Sequence, residues 1–292
     1  MSVDPGSDLL TPMTGSIVEV RGAVRTAQGR GQKVGFVPTM GALHAGHASL
    51  IAAARRECDF VVVSIFVNPT QFAPHEDLAK YPRPLDADRR LCRKAGADLV
   101  FVPSVETIYP PGFATFVTVE GLSSILEGVA RPTHFRGVTT VVLKLFQMVP
   151  ADIAYFGQKD YQQQTIIRKM VSDLNLPITI RVCPTIRETD GLAMSSRNVY
   201  LNSEQRQVSL ALFRTLELAR TELARGERDL TALRQRLRAC LGSDPGVQPD
   251  YATLVDPDTL AELDVPGPRV VALVAARVGT TRLIDNAVID LR

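Results

Sequence analysis

The sequence predicts an α/β protein with a doubly wound (Rossmann-like) parallel sheet in an N-terminal domain and a smaller α+β C-terminal domain. Short apolar, β-branched runs recur through the first two thirds of the chain, and segments with helical spacing lie between them. Beyond about residue 187 the order changes to helices followed by consecutive strands. Alternating strands and helices are typical of parallel βαβ units, whereas grouped helices and strands are typical of α+β domains.

Continuous apolar runs are typical of strands that are buried on both faces. Five such runs form the predicted sheet, over residues 34–37, 60–67, 99–102, 153–156 and 178–182. The helical segments between them cover residues 48–56, 84–94, 138–148 and 161–174. With right-handed crossovers the strands run parallel, and ligands bind beyond their carboxyl ends. We therefore expect functional residues in the loops that follow Val37, Val67 and Phe156.

The C-terminal region is predicted to contain helices over residues 203–224 and 230–241, and strands near residues 251–255, 270–278 and 283–289. The expected domains are a loose leader over residues 1–15, a Rossmann-like domain over residues 16–186 and the smaller domain over residues 187–292.

Composition excludes several classes of protein. A chain of 292 residues that is 45% hydrophobic is long enough to bury a large core. Its 33 basic and 31 acidic residues give a formal net charge of +2, so no charge excess indicates a nucleic-acid or anionic-membrane partner. The four cysteines lie far apart, without zinc-ligand spacing. No signal-peptide or membrane-span pattern is present, and a cytoplasmic location is expected.

The first functional motif joins the first buried strand to a helix through the sequence PTMGALHAGH, residues 38–47. His44 and His47 are three residues apart and share one helix face. The N–H groups and the positive dipole end at the helix start favour phosphate. Imidazoles at this place can donate hydrogen bonds to phosphoryl oxygens. The alternative without a function in catalysis is a pair of surface histidines that cap a helix. The order of strand, turn, HxGH and helix favours the functional interpretation.

A second motif, residues 157–164 with sequence GQKDYQQQ, follows the strand over residues 153–156 and opens a helix. Lys159 is suited to meet phosphate as a point charge. Asp160 could accept hydrogen bonds from ribose hydroxyls, and Gln163 is expected to face the strand ends. Any one of these residues taken alone is better explained as part of a solvated helix start.

The third motif is a polar, glycine-marked loop, DGLAMSSRN over residues 190–198, at the expected domain junction. Ser195 and Ser196 supply hydroxyls, and the Arg197 guanidinium can make bidentate contact with phosphate. Together with the upstream HxGH, this loop matches the two phosphate-binding halves of the HIGH and KMSKS nucleotidyltransferases.

Neutral hydrogen-bonding residues follow the second strand. Asn68 and Gln71 suit a small polar substrate, and the segment over residues 73–83 could form a lid. The basic loop over residues 131–137 is equally well explained as a binding loop or as an exposed helix entry. The sequence contains no Walker A loop, no GxGxxG after the first strand, no HExxH and no GxSxG, so kinase, dehydrogenase, zinc-protease and hydrolase interpretations lose support.

These residues resemble the pantothenate synthetase family (pantoate–β-alanine ligases) of the HIGH-type nucleotidyltransferase superfamily. The resemblance covers about residues 17–290 and rests on motifs that occur in the same order: PTMGALHAGH, SIFVNPTQF, EDLAKYPR, RPTHFRGV, FGQKDYQQ, GLAMSSRN and GTTRLIDN. It implies that ATP adenylates the carboxylate of (R)-pantoate with release of pyrophosphate. The amine of β-alanine then attacks the bound pantoyl adenylate to give pantothenate and AMP.

The resemblance also implies the site residues. His47 would be the proton donor, with His44 beside it on the phosphates, and Lys159 and Arg197 would be the other catalytic residues. The implied ATP-binding residues are Met40, Gly41, Ala42, Leu43, His44, Ala45, Gly46, His47, Gly157, Gln158, Lys159, Asp160, Ile186, Met194, Ser195, Ser196 and Arg197. The implied substrate-binding residues are Gln71, Gln163, Asn68, Pro38 and Met40. Mg²⁺ would be carried on the ATP phosphates, the smaller domain would act as a lid or clamp, and the family is homodimeric.

Two alternatives stay open on the residues alone. A nucleotidyltransferase that acts on a phosphorylated acceptor would need a basic acceptor pocket, for which Arg131 and Arg136 are the candidates. A catalytically silent nucleotide sensor, or an RNA-binding relative of a tRNA synthetase core, would place no chemical demand on the histidines. An RNA binder should also show a basic stripe, which the sequence lacks.

Overall fold

The computed structural model describes residues 10–73 and 78–291. The backbone divides into two compact units. The first unit runs to Gly157 and includes Gln163–Pro184, and the second consists of Gln158–Gln162 and the chain from Thr185 onward. Residues 1–9 of the predicted leader and residues 74–77 of the predicted lid lie outside the described residues.

The first unit contains a six-stranded parallel sheet. Its strands are β1 (Met13–Thr14), β2 (Val34–Thr39), β3 (Phe60–Ile65), β4 (Leu99–Phe101), β5 (Ile153–Gly157) and β6 (Thr179–Cys183). They are ordered β1-β4-β3-β2-β5-β6, and every neighbouring pair is parallel. The predicted doubly wound sheet is therefore confirmed.

β1 was not predicted, because it lies within the expected leader. Met13 and Thr14 pair with Val100 and Phe101 of β4. Thr11 is fully buried, and its hydroxyl donates to the carbonyl oxygen of Arg89 at 3.2 Å. Thr11, Met13 and Thr14 therefore contact β4 and the helix that contains Arg89.

Helices connect these strands. They are α1 (Ile17–Gly29), α2 (Ala45–Glu57), α3 (Leu85–Ala95), α4 (Val105–Ile108), α5 (Glu127–Ala130), α6 (His134–Met148) and α7 (Tyr161–Asp173). The sequence predicted α2, α3, α6 and α7, and missed α1 and the short helices α4 and α5. α1 begins where the Ser16 hydroxyl accepts a hydrogen bond from the Glu19 N–H, and Val20, Val24 and Ala27 form its buried stripe.

The parallel strands are covered on both faces. Alternate residues of β2 point to opposite sides of the sheet. Phe36 packs in one apolar cluster with residues of α6 and α7, among them Leu145 and Ile166. Its neighbour Val37 packs in a second cluster with Leu50 and Ile51 of α2. Double burial explains why the strands read as uninterrupted apolar runs.

The direction of chain progression through the sheet reverses at β2. β3 and β4 lie on one side of β2, and β5 and β6 lie on the other. β2 pairs with β3 over six residues but with β5 only at Gly35 and Phe36. Doubly wound sheets bind ligands beyond the carboxyl ends of the strands at such a switch point, which here follows Thr39 and Gly157.

The second unit combines helices with an antiparallel sheet. Its elements are α8 (Ser203–Val208), α9 (Ala211–Ala224), α10 (Leu230–Leu241), β7 (Val247–Val255), β8 (Arg269–Val278) and β9 (Thr281–Asp290). The sheet order is β7-β8-β9, and both pairs are antiparallel. β8 and β9 are joined by a two-residue turn in which Gly279 has a positive φ of 59°. The predicted α+β organisation of this region is confirmed.

The prediction of one continuous helix over residues 203–224 is wrong. The helix is interrupted at Ser209 and Leu210. The Ser209 hydroxyl donates to the carbonyl oxygen of Arg206 at 2.7 Å, and the Leu210 N–H bonds to the carbonyl of Gln207, three residues back. A serine side chain that bonds within its own turn competes with the regular helical ladder.

Among residues 10–73 and 78–291, none of the helices is both long enough and apolar enough to span a bilayer.

Candidate active site

The chain leaves β2 through a tight left-handed turn. The Thr39 hydroxyl donates to the Ser64 carbonyl at 2.7 Å and accepts from the Gly41 N–H at 3.2 Å. Gly41 has a φ of 82° and Ala42 a φ of 50°. A Cβ atom at position 41 would lie 3.0 Å from the Ile65 side chain, so glycine is required there both for its conformation and for space.

A buried carboxylate holds this turn in place. Asp88 in α3 is 2% exposed, and its two oxygens accept the N–H groups of Ala42 at 3.0 Å and Leu43 at 2.8 Å. Burial raises the pKa of the Asp88 carboxyl, and the two N–H bonds oppose that shift without cancelling it. The bonds also stabilise the unfavourable left-handed conformation of Ala42. The sequence motifs gave no sign of this residue, since it lies 46 positions away from the turn.

His44 and His47 form a single structural unit at the start of α2. His44 is the N-cap residue, and its Nδ1 accepts from the Gly46 N–H at 3.1 Å. Nδ1 of His47 accepts from the His44 N–H at 3.3 Å, and the ring centroids are 4.1 Å apart. When Nδ1 of a neutral imidazole accepts a hydrogen bond, the proton resides on Nε2. Both rings are therefore set as Nε2–H donors at a helix N-terminus.

Gly46 explains why the motif reads HxGH. A Cβ atom built on Gly46 would lie 2.8 Å from Cε1 and 2.9 Å from Nδ1 of His44. Real Cβ contacts are not that short, so any larger residue would displace the His44 ring. The glycine at this position is needed for the histidine geometry.

Gln71 lies beside the turn, in a short 3-10 helix over Pro69–Gln71. Its Nε2 contacts the Met40 sulfur at 2.8 Å, and its Oε1 accepts from the Asn68 amide at 3.1 Å. Asn68 and Gln71 are 1% and 8% exposed. The structure therefore brings together Met40, Asn68 and Gln71, three of the predicted substrate-binding residues.

The side chain of Asn68 is fully used by the protein. Its Nδ2 also donates to the Gly137 carbonyl at 3.1 Å, and its Oδ1 accepts from the Tyr109 hydroxyl at 2.8 Å and from Thr70. Burial raises the pKa of the Tyr109 hydroxyl, which therefore stays protonated and able to donate. These contacts make Asn68 a residue that orients Gln71.

The basic loop before α6 contacts the same turn. Nδ1 of His134 lies 2.9 Å from the Gln71 carbonyl oxygen, and the Arg131 guanidinium donates to that oxygen at 3.2 Å. A Cβ atom at Gly137 would lie 2.5 Å from the Thr70 carbonyl oxygen, so α6 approaches the turn closely. Arg131 and His134 thus support the backbone of Gln71. Arg136 is exposed and stacks on the Phe116 ring at 3.8 Å.

In the second unit, Gln158, Lys159 and Asp160 form the segment between β5 and α7. All three are half-buried, and the Lys159 ammonium lies 3.7 Å from an Asp160 carboxylate oxygen. Gly157 ends β5, and Gln163, the third residue of α7, is half-buried. Gly157 and Gln163 belong to the first unit.

The loop over residues 186–198 folds back on itself. The Met194 N–H donates to the Ile186 carbonyl at 3.0 Å, and Gly191 turns the chain with a φ of 99°. Ser195 caps a 3-10 helix over Ser196–Tyr200 by accepting from the Arg197 N–H at 3.3 Å. Ile186, Met194 and Ser195–Arg197, which are separated in sequence, are thereby joined in one structured loop.

The family model described as pantoate-beta-alanine ligase matches residues 13–288. The chain belongs to the pantoate–β-alanine ligase family. The family resemblance predicted from the motifs, and with it the prediction that the chain is an enzyme, is therefore confirmed.

Named relatives agree with this family assignment. The chain is 52% identical over 276 residues to the pantothenate synthetase of Moorella thermoacetica, and the match covers 94% of this chain and 98% of that protein. It is 54% identical over 257 residues to the pantothenate synthetase of Roseiflexus castenholzii, with 88% and 92% of the two chains covered.

Solved structures of relatives have the same fold. The crystal structure of pantothenate synthetase from Thermus thermophilus superposes with a TM-score of 0.90 at 46% identity, covering 95% of this chain and 99% of that one. The pantoate-beta-alanine ligase of Francisella tularensis, crystallised with β-γ ATP and β-alanine, gives a TM-score of 0.75 at 36% identity over 95% and 97% of the two chains.

Proposed function

We propose that this chain catalyses the ATP-dependent condensation of (R)-pantoate with β-alanine to give pantothenate, AMP and pyrophosphate. The observation that carries the proposal is the juxtaposition of two sites in the first unit. Paired imidazole donors stand at the N-terminus of α2, and the neutral Gln71 amide contacts the Met40 side chain of the same turn. The relative from Francisella tularensis was crystallised with β-γ ATP and β-alanine, which match two of the expected ligands.

The reaction requires two substitutions. A carboxylate oxygen of pantoate attacks the α-phosphorus of ATP, and the bond to the β-phosphate oxygen breaks to release pyrophosphate. The neutral β-alanine amine then attacks the acyl carbon, and the bond from that carbon to the phosphate oxygen breaks to release AMP. The nitrogen now bonded to the acyl carbon loses its extra proton to water, which leaves the amide. An acyl adenylate hydrolyses readily, so neutral amides around it and exclusion of water favour transfer to the amine.

In the first unit, residues 40–47 are proposed to bind ATP. The N–H groups at the start of α2 and its positive dipole end attract phosphate oxygens. We assign His47 as the donor that stabilises negative charge developing on the leaving pyrophosphate, with His44 beside it. Gly157 is proposed to contribute backbone contact.

Residues of the second unit are proposed to bind ATP as well. Lys159 supplies a point charge for phosphate, and Arg197 supplies a planar guanidinium that can make two parallel hydrogen bonds. The other residues proposed to contact ATP are Gln158, Asp160, Ile186, Met194, Ser195 and Ser196.

Pantoate is proposed to bind through Gln71 and Gln163, with Pro38 and Met40 forming the apolar wall. Amides hydrogen-bond hydroxyl and carboxylate oxygens without adding charge, which suits a dihydroxy acid that is not phosphorylated. The alternative of a phosphorylated acceptor loses its basic pocket, because Arg131 binds the Gln71 carbonyl and Arg136 stacks on Phe116.

Magnesium is proposed to enter as MgATP. Mg²⁺ is commonly bound through substrate phosphates and waters with only one or two carboxylates, so the ATP phosphates are its proposed ligands. A cytoplasmic location and a homodimer are further parts of the proposal. Sedimentation of the purified chain at about its 31.8 kDa monomer mass would contradict the dimer.

The assay that tests the proposal uses radiolabelled ATP in two stages. With MgATP and pantoate alone, we expect pyrophosphate in an amount close to one per active site, together with adenylate that stays bound to the protein. Addition of β-alanine should then release AMP and pantothenate in equal amounts. Absence of bound adenylate in the first stage, or AMP formation that is independent of pantoate, would contradict the proposed reaction.

A further inference from the structure

A buried asparagine in the second unit reaches the main chain around Lys159. Asn286 lies in β9 within the motif LIDN, residues 283–286, and is 1% exposed. Its Nδ2 donates to the Gln158 carbonyl at 2.9 Å and to the Lys159 carbonyl at 2.8 Å. Its Oδ1 accepts from the Gln158 side chain at 3.3 Å. Both ends of the Asn286 amide are thus directed to the segment that contains Lys159.

The two bonds from Nδ2 fix the backbone on both sides of Lys159. The Gln158 carbonyl belongs to the peptide plane before the Lys159 Cα atom, and the Lys159 carbonyl belongs to the plane after it. Because each peptide is planar, only the φ and ψ angles of Lys159 set the relative orientation of the two planes. A single amide that binds both carbonyls therefore restrains those two angles and the direction in which the lysine side chain leaves the backbone.

The position of Asn286 is itself fixed by an ion pair. The neighbouring Asp285 has a side chain 1% exposed, and Arg187 donates to its two oxygens at 2.6 and 3.0 Å. Asp285 also accepts the N–H of Asn286 at 2.7 Å, and Arg187 donates to the Asn286 carbonyl at 3.3 Å. A bidentate arginine–carboxylate pair has a defined geometry, so β9 holds the amide at one place.

We infer that Asn286 is a positioning residue that orients Lys159 for its contact with the phosphates of ATP. The inference rests on the proposed phosphate role of Lys159 and adds to it the residue that sets the geometry. Asn286 acts through the backbone of residues 158 and 159, so it needs no contact with a ligand. Displacement of a positioned catalytic group by about 1 Å can reduce the rate by about a hundredfold.

The variant Asn286→Asp tests this with almost no change in shape. It replaces the two N–H donors by a carboxylate oxygen that faces two carbonyl oxygens. We expect kcat/KM for ATP to fall about tenfold or more, while the KM for pantoate changes less than about twofold. Wild-type kcat/KM for ATP in this variant would overturn the inference, and so would a rise in KM for pantoate as large as the rise in KM for ATP.

Coupling to Lys159 is measured by a double-mutant cycle with Lys159→Ala. If Asn286 acts through Lys159, Asn286→Asp should cause less than about a twofold further loss in the Lys159→Ala background. A full additional loss in that background would overturn the inference. Wild-type activity of Lys159→Ala alone would instead remove Lys159 from the proposed ATP site, so the two failures are distinguishable.

A matched control in the same sheet separates a specific effect of Asn286→Asp from a general structural defect. Thr253 of β7 is 1% exposed, and its hydroxyl donates to a Glu262 carboxylate oxygen at 2.6 Å. Thr253→Val should leave kcat/KM for ATP within about twofold of wild type, while its thermal unfolding reports the cost of losing a partly buried hydrogen bond. If Asn286→Asp does not fold, Asn286→Ala, which removes the donors without adding charge repulsion, is judged by the same kinetic criteria.

Discussion

Gly46 shows how one missing side chain determines the geometry of the histidine pair. His44 and His47 are linked through backbone N–H bonds that depend on the His44 ring lying directly against residue 46. A Cβ atom on residue 46 would lie 2.8 Å from that ring, which leaves no room for a methyl group. The geometry of the motif therefore requires glycine at position 46 as well as the two histidines.

We predict that Gly46→Ala reduces kcat/KM for ATP about tenfold or more, because the Cβ atom displaces the His44 ring and with it the capping arrangement. The measurement is steady-state pyrophosphate release at varied ATP. Gly22→Ala is the matched control, since Gly22 lies on the exposed side of α1 with nothing within 4 Å of its Cβ position. The control should keep wild-type activity, and wild-type activity of Gly46→Ala would contradict the proposed role of the glycine.

Asp88 is a buried carboxylate that serves the turn at a cost in stability. Burial raises the pKa of Asp88 in the folded state above that of an unfolded aspartate, which is about 4. The stabilisation linked to this shift is fully present below the unfolded pKa and is lost as pH rises through the higher folded pKa. The Asp88 oxygens accept the N–H groups of Ala42 and Leu43, and these bonds oppose the rise in pKa.

The prediction is that the free energy of unfolding of the wild type, relative to Asp88→Asn, decreases as pH rises from about 4 to 7. Urea titrations at several pH values measure it. Asp86→Asn, which changes a carboxylate of α3 that is 70% exposed, should shift stability by less than about 0.5 kcal/mol. A difference between wild type and Asp88→Asn that is constant with pH would show that Asp88 does not titrate as its burial requires.

At the scale of elements, α6 supports the turn that contains Gln71. Asn68 donates to the Gly137 carbonyl, and Arg131 and His134 at the helix start hold the Gln71 carbonyl. Helix and turn come close enough that residue 137 has to be glycine. The basic residues before α6 had two equally good interpretations from sequence, and the structure shows contacts that orient Gln71.

We predict that Gly137→Ala destabilises the protein by about 1–3 kcal/mol, because its Cβ would lie 2.5 Å from the Thr70 carbonyl oxygen. The same displacement moves Gln71, so the KM for pantoate should rise more than the KM for ATP. Urea unfolding and steady-state kinetics measure the two effects. Gly22→Ala again provides the control for an alanine introduced into a helix, and a change confined to the KM for ATP would contradict the assigned role of α6.

At the scale of the whole molecule, the chain has two units with separate cores. In the first, α helices cover both faces of a parallel sheet. In the second, the buried leucines of α9 and α10 pack on the antiparallel sheet. The boundary crosses the chain at Gly157 and again at residues 162–163, so the short segment with Lys159 is grouped with the second unit although its sequence neighbours belong to the first.

The amino-acid sequence by itself determined the fold class, the family and most of the strands and helices. Apolar runs reveal strands buried on both faces, and local motifs such as HxGH identify a helix start. Both features are patterns of residues close together in the chain, so they can be read from the sequence without knowledge of distant contacts. The boundaries at residues 15 and 186 stay predictions, as do the individual roles of the ATP- and pantoate-binding residues.

Only the tertiary structure decided which distant residues support the site. Asp88 reaches the turn after β2 from 46 residues away, and Asn286 holds the backbone of Gln158 from a distance of 128 residues. Asp88 lies in none of the sequence motifs, and the spacing within GTTRLIDN, which contains Asn286, does not reveal its partner. Their function arises from side chains that meet backbone N–H and carbonyl groups after folding, and those groups are the same in every residue, so the sequence carries no signal for the contact.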